Sequence, residues 1–259
     1  MTKKIRKIIN KKKKSKIICL TAYSKNIAEI LDKYCDLILV GDSLGSVLYN
    51  YKSTKEVTLK TMINHSKSVR LGVNKSLMVF DMPYNTYRNP GEALKNAKLV
   101  MKKTKCDALK LEGGKNIIPI IKKLIKNKIP VMGHVGILPQ TDKKFTFKGK
   151  KEIESRRILN DTKLLENAGV FSIVLECIET KLSKKITNQL KIPTIGIGSS
   201  VNCDGQVLVI DDLIGLSQSK LRFVKKYADI KKIINVAVKK YKYEVQKKQF
   251  PRAKHSFKN

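Results

Sequence analysis
The chain has 259 residues, 42% hydrophobic and 6% aromatic, a length that admits one large α/β domain or two small ones, and no apolar run approaches the roughly 18 residues of a bilayer span, so no membrane partner is expected. The formal net charge is +34, but only 7 of the 55 basic residues are Arg and the Lys residues are spread along the whole chain. A diffuse excess of that kind reads as a solvated surface, and no nucleic-acid partner is expected without clustered Arg and aromatic stacking. The five cysteines form no C-x-x-C pair and are odd in number, which fits small hydrophobes in a reducing cytoplasm.

Residues 1–16 are dense in Lys and lack the apolar segment of a secretory signal, so a solvated basic extension is expected. Ile17-Ile18-Cys19-Leu20 reads as a first strand, and Ser24 is placed to cap a helix reaching about Lys33. Leu37-Ile38-Leu39-Val40 is a run suited to a strand buried on both faces, and it stops at Gly41-Asp42. Ser46 to Lys55 reads as irregular, and Thr58 starts a helix whose face includes Leu59, Met62, Ile63 and Val69. The third strand runs to Asp81, after which Asn89-Pro90-Gly91-Glu92 marks a helix start. A fourth strand, Ala108 to Leu111, ends at Glu112 and is followed by a helix over Ile117 to Asn127. The fifth, Ile129 to Met132, is closed by Gly133-His134-Val135-Gly136, and a long polar loop follows from Leu138 to Lys150. Glu152 to Ala168 reads as a helix with Ile153, Ile158, Leu164 and Leu165 facing inward, and the sixth strand ends at Glu176. A short helix near Ser183 to Leu190 precedes a seventh strand over Ile192 to Gly198. An eighth is expected within Val207 to Leu216, and the tail from Phe223 reads as helical and charged.

Strand and helix thus alternate about eight times without an evident linker. The pattern predicts an α/β fold, a closed (βα)8 TIM barrel forming one domain over residues 1–259, with residues 1–16 as an extension and 223–259 as a tail. An open doubly wound sheet is the alternative, weakened by the lack of G-x-G-x-x-G after the first strand.

Four of the apolar runs stop at an acid: Asp42, Asp81, Glu112 and Glu176. In a parallel barrel all strand ends of one polarity meet at one rim, so these acids would converge. Asp42, Asp81 and Glu112 are hard oxygen donors suited to Mg2+, and gathering three acids without a cation would be costly. The competing reading of each acid alone is a helix cap or a surface ion pair. Lys110 lies two residues before Glu112, so strand alternation puts both on one face, where Lys110 is a charged partner and anion ligand. His134 is placed to hydrogen-bond a substrate carboxylate, against the alternative of a satisfied buried histidine. Glu176 stands apart as the candidate general base.

Several motifs are collinear from about Ile17 to Tyr227: Leu20-Thr21-Ala22-Tyr23, Val40-Gly41-Asp42-Ser43-Leu44-Gly45, Val57-Thr58-Leu59, Asp81-Met82-Pro83, Lys110-Leu111-Glu112-Gly113-Gly114, Pro130 through Gly136, Pro139-Gln140, Pro193 through Gly198 and Cys203 through Val209. On these residues the sequence closely resembles the ketopantoate hydroxymethyltransferases, the enzymes that begin pantothenate synthesis. The resemblance implies a barrel of the phosphoenolpyruvate/pyruvate group. It also implies metal ligands at Asp42, Asp81 and Glu112 for one Mg2+ per subunit, and 2-oxo acid contacts at Asp42, Ser43, Asp81 and Lys110. By the same resemblance His134 lies near the substrate and Glu176 is the proton acceptor. The implied substrates are 3-methyl-2-oxobutanoate and 5,10-methylenetetrahydrofolate, joined through a Mg2+-bound enolate, in a cytoplasmic homo-oligomer that is commonly a decamer.

Two loops depart from the family pattern. Lys143-Lys144-Phe145 stands where Gly-Gly-Tyr is expected, and Gly198-Ser199-Ser200 where Gly-Ala-Gly is frequent. The nearest rival function is another metal-dependent, enolate-forming lyase of the same barrel group, which would use a loop Cys as acid. The rival from a different class is a basic nucleic-acid-binding protein.

Overall fold
The computed structural model describes residues 2–142 and 146–257. The chain divides into two compact units, Met1–Val209 and Ile210–Asn259.

The first unit begins with helix α1 (Lys3–Asn10), strand β1 (Ile17–Thr21), α2 (Lys25–Leu31), β2 (Leu37–Val40) and α3 (Leu44–Tyr49). It continues with α4 (Leu59–Arg70), β3 (Leu77–Asp81), α5 (Pro90–Thr104), β4 (Ala108–Glu112), α6 (Ile118–Lys126) and β5 (Val131–Gly136). It ends with α7 (Glu152–Asn167), β6 (Ser172–Glu176), α8 (Thr180–Gln189), β7 (Thr194–Ile197) and β8 (Gly205–Leu208). The strands pair in parallel, each with the next in sequence, and β8 returns to β1, so the sheet is a closed eight-stranded barrel. The second unit holds α9 (Ile210–Leu213) and α10 (Ile230–Gln246).

Two-residue alternation decides which side chains fill the barrel. Leu77, Val79, Ala108, Met132, Val174, Ile195 and Val207 join one buried core cluster, while the intervening Met78, Phe80, Leu109 and Leu111 are buried without belonging to it. Continuing the inward parity toward the C-terminal strand ends reaches Asp81, Lys110, Glu112, His134 and Glu176. An apolar barrel floor thus changes to a charged mouth within one strand length.

Helices start where side chains supply acceptors. The Thr58 side chain accepts from the Thr61 N–H, and Asn89 from the Glu92 N–H with Pro90 in the first turn. Ser24 occupies the corresponding position of α2 without a side-chain cap bond. Asp32, just after α2, accepts from the N–H groups of Asn74, Lys75 and Ser76 and so fixes the approach to β3.

Several sequence expectations need correction. Residues 1–16 are not a solvated extension throughout: α1 buries Ile5 and Ile8, each 1% exposed, in the barrel cluster. The i, i+3 spacing of these two isoleucines gives the helix an apolar face that a count of lysines hides. Lysines in and just after the helix reach chain segments just before strands: Lys4 bonds the Ser76 carbonyl at 2.8 Å, Lys11 pairs with Asp36 at 2.6 Å and Lys12 with Asp204 at 2.7 Å. The helix therefore closes the N-terminal end of the barrel. The stretch Ser46–Lys55 is not irregular, since α3 covers its first residues and a 3-10 turn its end. Ile153 faces solvent, 86% exposed, because α7 turns Ile158 and Leu165 inward instead. Strand β5 runs on to Gly136, so His134 is a strand residue, and β8 starts at Gly205, two residues ahead of the expected window. The tail helix begins at Ile230, where Asp229 caps it, rather than at Phe223. Among the described residues no helix is long and apolar enough to cross a membrane.

Candidate active site at the barrel rim
The parallel register sets the site's first contacts. Asp81 and Lys110 are direct partners across β3 and β4, and Glu112 and His134 are direct partners across β4 and β5. The Lys110 ammonium lies 2.8 Å from both Asp81 oxygens and 3.7 Å from Glu112 Oε1. His134 bridges two carboxylates, with Nδ1 3.4 Å from Glu112 Oε1 and Nε2 3.2 Å from Glu176 Oε2. Asp42 follows β2, and its N–H reaches Asp81 Oδ2 at 3.4 Å. Ser43, beside it, exchanges a 2.8 Å hydrogen bond with the Tyr23 hydroxyl. All seven sequence-predicted site residues therefore lie at the C-terminal end of the barrel. Asp42, Asp81, Lys110, Glu112 and His134 are buried, while Ser43 and Glu176 are partly exposed.

Burial, followed by the neighbouring Asp81 and Glu112 charges, pushes Asp42 well above the usual carboxylate range. Burial also raises Asp81, against the opposing pull of Lys110. Burial acts on Glu112 in the same direction, but His134, Lys110 and the Gln140 N–H outweigh it and hold Glu112 low. Burial and Lys110 oppose a charge on His134, yet Glu112 and Glu176 lift it to about 9. A protonated His134 presents N–H groups to both glutamates. Lys110 is raised above its ordinary value despite burial, chiefly by Asp81, then Glu112 and Asp42.

Three buried carboxylates thus share the positive charge of Lys110 and His134, and burial with their neighbours' charges leaves Asp42 and Asp81 raised above the usual carboxylate range. Glu112 Oε1 and both His134 ring nitrogens are buried without a hydrogen bond of good geometry. Among the described residues no three His, Cys, Asp or Glu side chains are already drawn together as a metal cluster. The orphaned acceptor and the excess of hard oxygen donors nevertheless match what Mg2+ accepts, one or two direct carboxylates with other positions left to water or substrate.

Two residues of this network carry no obvious sequence signal for a site role. Gln140, 1% exposed in the loop after β5, donates from Nε2 to Asp42 Oδ2 at 2.8 Å and to the Met82 carbonyl at 2.9 Å. Tyr87, after β3, donates its hydroxyl to Gln140 Oε1 at 2.5 Å. Gln140 was visible only within the Pro139-Gln140 motif, and Tyr87 belongs to no motif. A cleft of about 430 Å3 lies beside the rim, lined among others by Gly113, Gly136, Lys115, Lys148 and Arg157. Lys143-Lys144-Phe145 falls outside the described residues. The other departure is placed: Ser199 Oγ donates to the Leu175 carbonyl at 2.7 Å and accepts from the Ile178 N–H, joining the ends of β6 and β7.

The family model of ketopantoate hydroxymethyltransferase matches residues 2–253. The chain belongs to this family. Curated relatives carry the name 3-methyl-2-oxobutanoate hydroxymethyltransferase. One from Pelagibacter ubique is 66% identical over 257 residues, covering 99% of this chain and 100% of the relative. One from Anaplasma marginale is 45% identical, covering 95% and 90%. As a member of the family the chain is an enzyme, a hydroxymethyltransferase. Among solved structures, phosphonopyruvate hydrolase matches with a TM-score of 0.65 at 9% identity, covering 100% of this chain and 92% of the other. A 2,3-dimethylmalate lyase of the PEP mutase/isocitrate lyase superfamily matches with a TM-score of 0.62 at 10% identity, covering 99% and 89%. At such identities the likeness is one of fold alone.

Proposed function
We propose that the chain transfers a one-carbon unit from 5,10-methylenetetrahydrofolate to 3-methyl-2-oxobutanoate, giving ketopantoate for pantothenate synthesis. The observation that carries the reading is the buried rim cluster of Asp42, Asp81, Glu112 and Lys110, joined to Glu176 through His134, on a chain of this family. Asp42, Asp81 and Glu112 would hold Mg2+. Bound there, Mg2+ acts as a Lewis acid on the ketone of the 2-oxo acid and acidifies the neighbouring C–H.

The protein's own groups do the rest. Lys110 and Ser43 bind the oxo acid's oxygens, and the mostly apolar barrel wall beneath them excludes water. Glu176, held by His134 and open on one side, accepts the proton from the carbon next to the ketone. One C–N bond of the folate's methylene bridge opens to an iminium, its electron pair passing to nitrogen, and the resulting enolate carbon bonds to the iminium carbon as the C=N pair moves onto the other nitrogen. Tetrahydrofolate leaves with the electron pair of its C–N bond, and water supplies the hydroxyl group. The cleft beside the rim offers Lys115, Lys148 and Arg157 to the glutamate end of the folate. The reading includes a cytoplasmic homo-oligomer, a decamer by family resemblance, which sedimentation velocity tests.

The deciding experiment incubates purified protein with 3-methyl-2-oxobutanoate, methylenetetrahydrofolate and Mg2+. Ketopantoate formed in proportion to enzyme supports the reading, and its absence while the oxo acid is consumed otherwise overturns it.

A further inference from the structure
We propose that Gln140 is a positioning residue that holds the Asp42 and Glu112 carboxylates in the arrangement a divalent cation requires, and that Tyr87 orients its side chain; this rests on the metal-dependent reading above.

Gln140 touches both acids by different atoms. Its side-chain amide donates to Asp42 Oδ2, and its backbone N–H donates to Glu112 Oε2 at 3.2 Å. One residue from the loop after β5 therefore spans acids from the ends of β2 and β4. The orientation of the amide is fixed chemically. The Met82 carbonyl accepts only, so the nitrogen must face it, and the same nitrogen then serves Asp42. The remaining oxygen faces the Tyr87 hydroxyl, which donates to it and lies 3.4 Å from the Glu112 N–H. The links run from the Glu112 backbone through Tyr87 and Gln140 to the Asp42 carboxylate.

The arrangement explains why an amide stands here. A glutamate would leave the Met82 carbonyl without a donor and set a fourth carboxylate against Asp42. A hydrophobe of similar length would fill the space and release Asp42. Because Gln140 occupies one oxygen of each acid, it leaves Asp42 Oδ1 and Glu112 Oε1 for other partners, and Glu112 Oε1 is the acceptor found without a hydrogen bond.

Outer partners that orient metal ligands typically change affinity or activity by about 10–100-fold when removed. The test compares wild type, Gln140→Met, Tyr87→Phe and the double variant. Free Mn2+ is followed by electron paramagnetic resonance without substrate, and thermal midpoints are measured in parallel. Gln140→Met should raise the Mn2+ Kd by about tenfold or more. Tyr87→Phe should raise it less, and the double variant should be no worse than Gln140→Met, as expected of residues in one network. A merely structural role would lower the midpoint and leave Mn2+ affinity of the folded protein unchanged. A folded Gln140→Met with Kd within twofold of wild type overturns the inference. If that variant does not fold, an unchanged Kd in Tyr87→Phe overturns it instead. Wild type that binds no Mn2+ overturns the metal-dependent reading together with this one, so the two failures are distinguishable.

Discussion

The Lys110 ammonium is equidistant, at 2.8 Å, from the two oxygens of Asp81, its direct partner across the β3–β4 register. Both side chains are almost fully buried, at 6% and 2% exposure. Removing one member of such a pair leaves an uncompensated charge. Lys110→Met should destabilise the protein by about 3–5 kcal/mol, the range for a broken buried pair, and abolish turnover. Urea unfolding monitored by circular dichroism checks this, and a loss under about 1 kcal/mol would mean that the pair is dispensable for folding.

Chelation is the second test. Treating the enzyme with EDTA should abolish turnover, and added Mg2+ should restore it, because burial and neighbouring carboxylates raise Asp42 and Asp81, and a divalent cation relieves that crowding. Full activity of a rigorously metal-free preparation would sink the assignment of Asp42, Asp81 and Glu112 as ligands.

Glu176 is the acid on the far side of His134, and its side chain keeps 13% exposure toward the mouth. Glu176→Gln should lower kcat by about 10²–10⁴, as loss of a general base does, with KM for the oxo acid nearly unchanged. Steady-state kinetics decide it: a kcat within a few-fold of wild type moves the base elsewhere.

Asp32 supplies a pH dependence away from the chemistry. Burial would raise its carboxyl, but the N–H donors of Ser76, Lys75 and Asn74 outweigh burial and hold it below its ordinary value. A depressed folded-state pKa contributes stability above the unfolded value, about 3.9, and that stability is lost as pH falls through the folded value. Asp32→Ala should therefore cost about 1–3 kcal/mol at pH 6, and the gap to wild type should shrink steadily below about pH 4. Thermal melts across this range that show a constant gap would place the effect in packing.

The α1 contacts predict a contrast within one helix. Ile8→Ala removes a side chain 1% exposed in the barrel cluster and should cost about 2–5 kcal/mol, whereas exposed Lys7→Ala should cost under about 0.5 kcal/mol. Equal effects in denaturant unfolding would show that the helix does not seal the barrel.

Much of this architecture was legible because the strands announce themselves twice. Runs such as Leu77–Phe80 are apolar throughout, as strands covered on both faces must be, and four of the eight strands run up to an acid where the barrel opens. Strand parity alone put Lys110 and Glu112 on one face, and both do point into the mouth. What was missed depends on information that local pattern does not hold. The burial of Ile5 and Ile8 needs the barrel floor to exist, and a Lys-rich composition masks their spacing. Ile153 sits at the start of α7, where a plausible helical phase still leaves a side chain beyond the packed surface. Gln140 and Tyr87 acquire their part from acids on other strands, so their significance is tertiary.

Helix α1 also bears on how the chain reaches this state. Lys12, just after it, pairs with Asp204, 192 residues later in sequence, and Ile5 and Ile8 pack in a cluster that includes Val207. The binding place for residues 3–10 therefore does not exist until the final strand has joined the first. Contacts so distant along the chain carry a large loop-closure cost and slow folding. The amphipathic segment therefore depends on nearly the whole barrel for its place, and its docking is what turns a closed sheet into a sealed one.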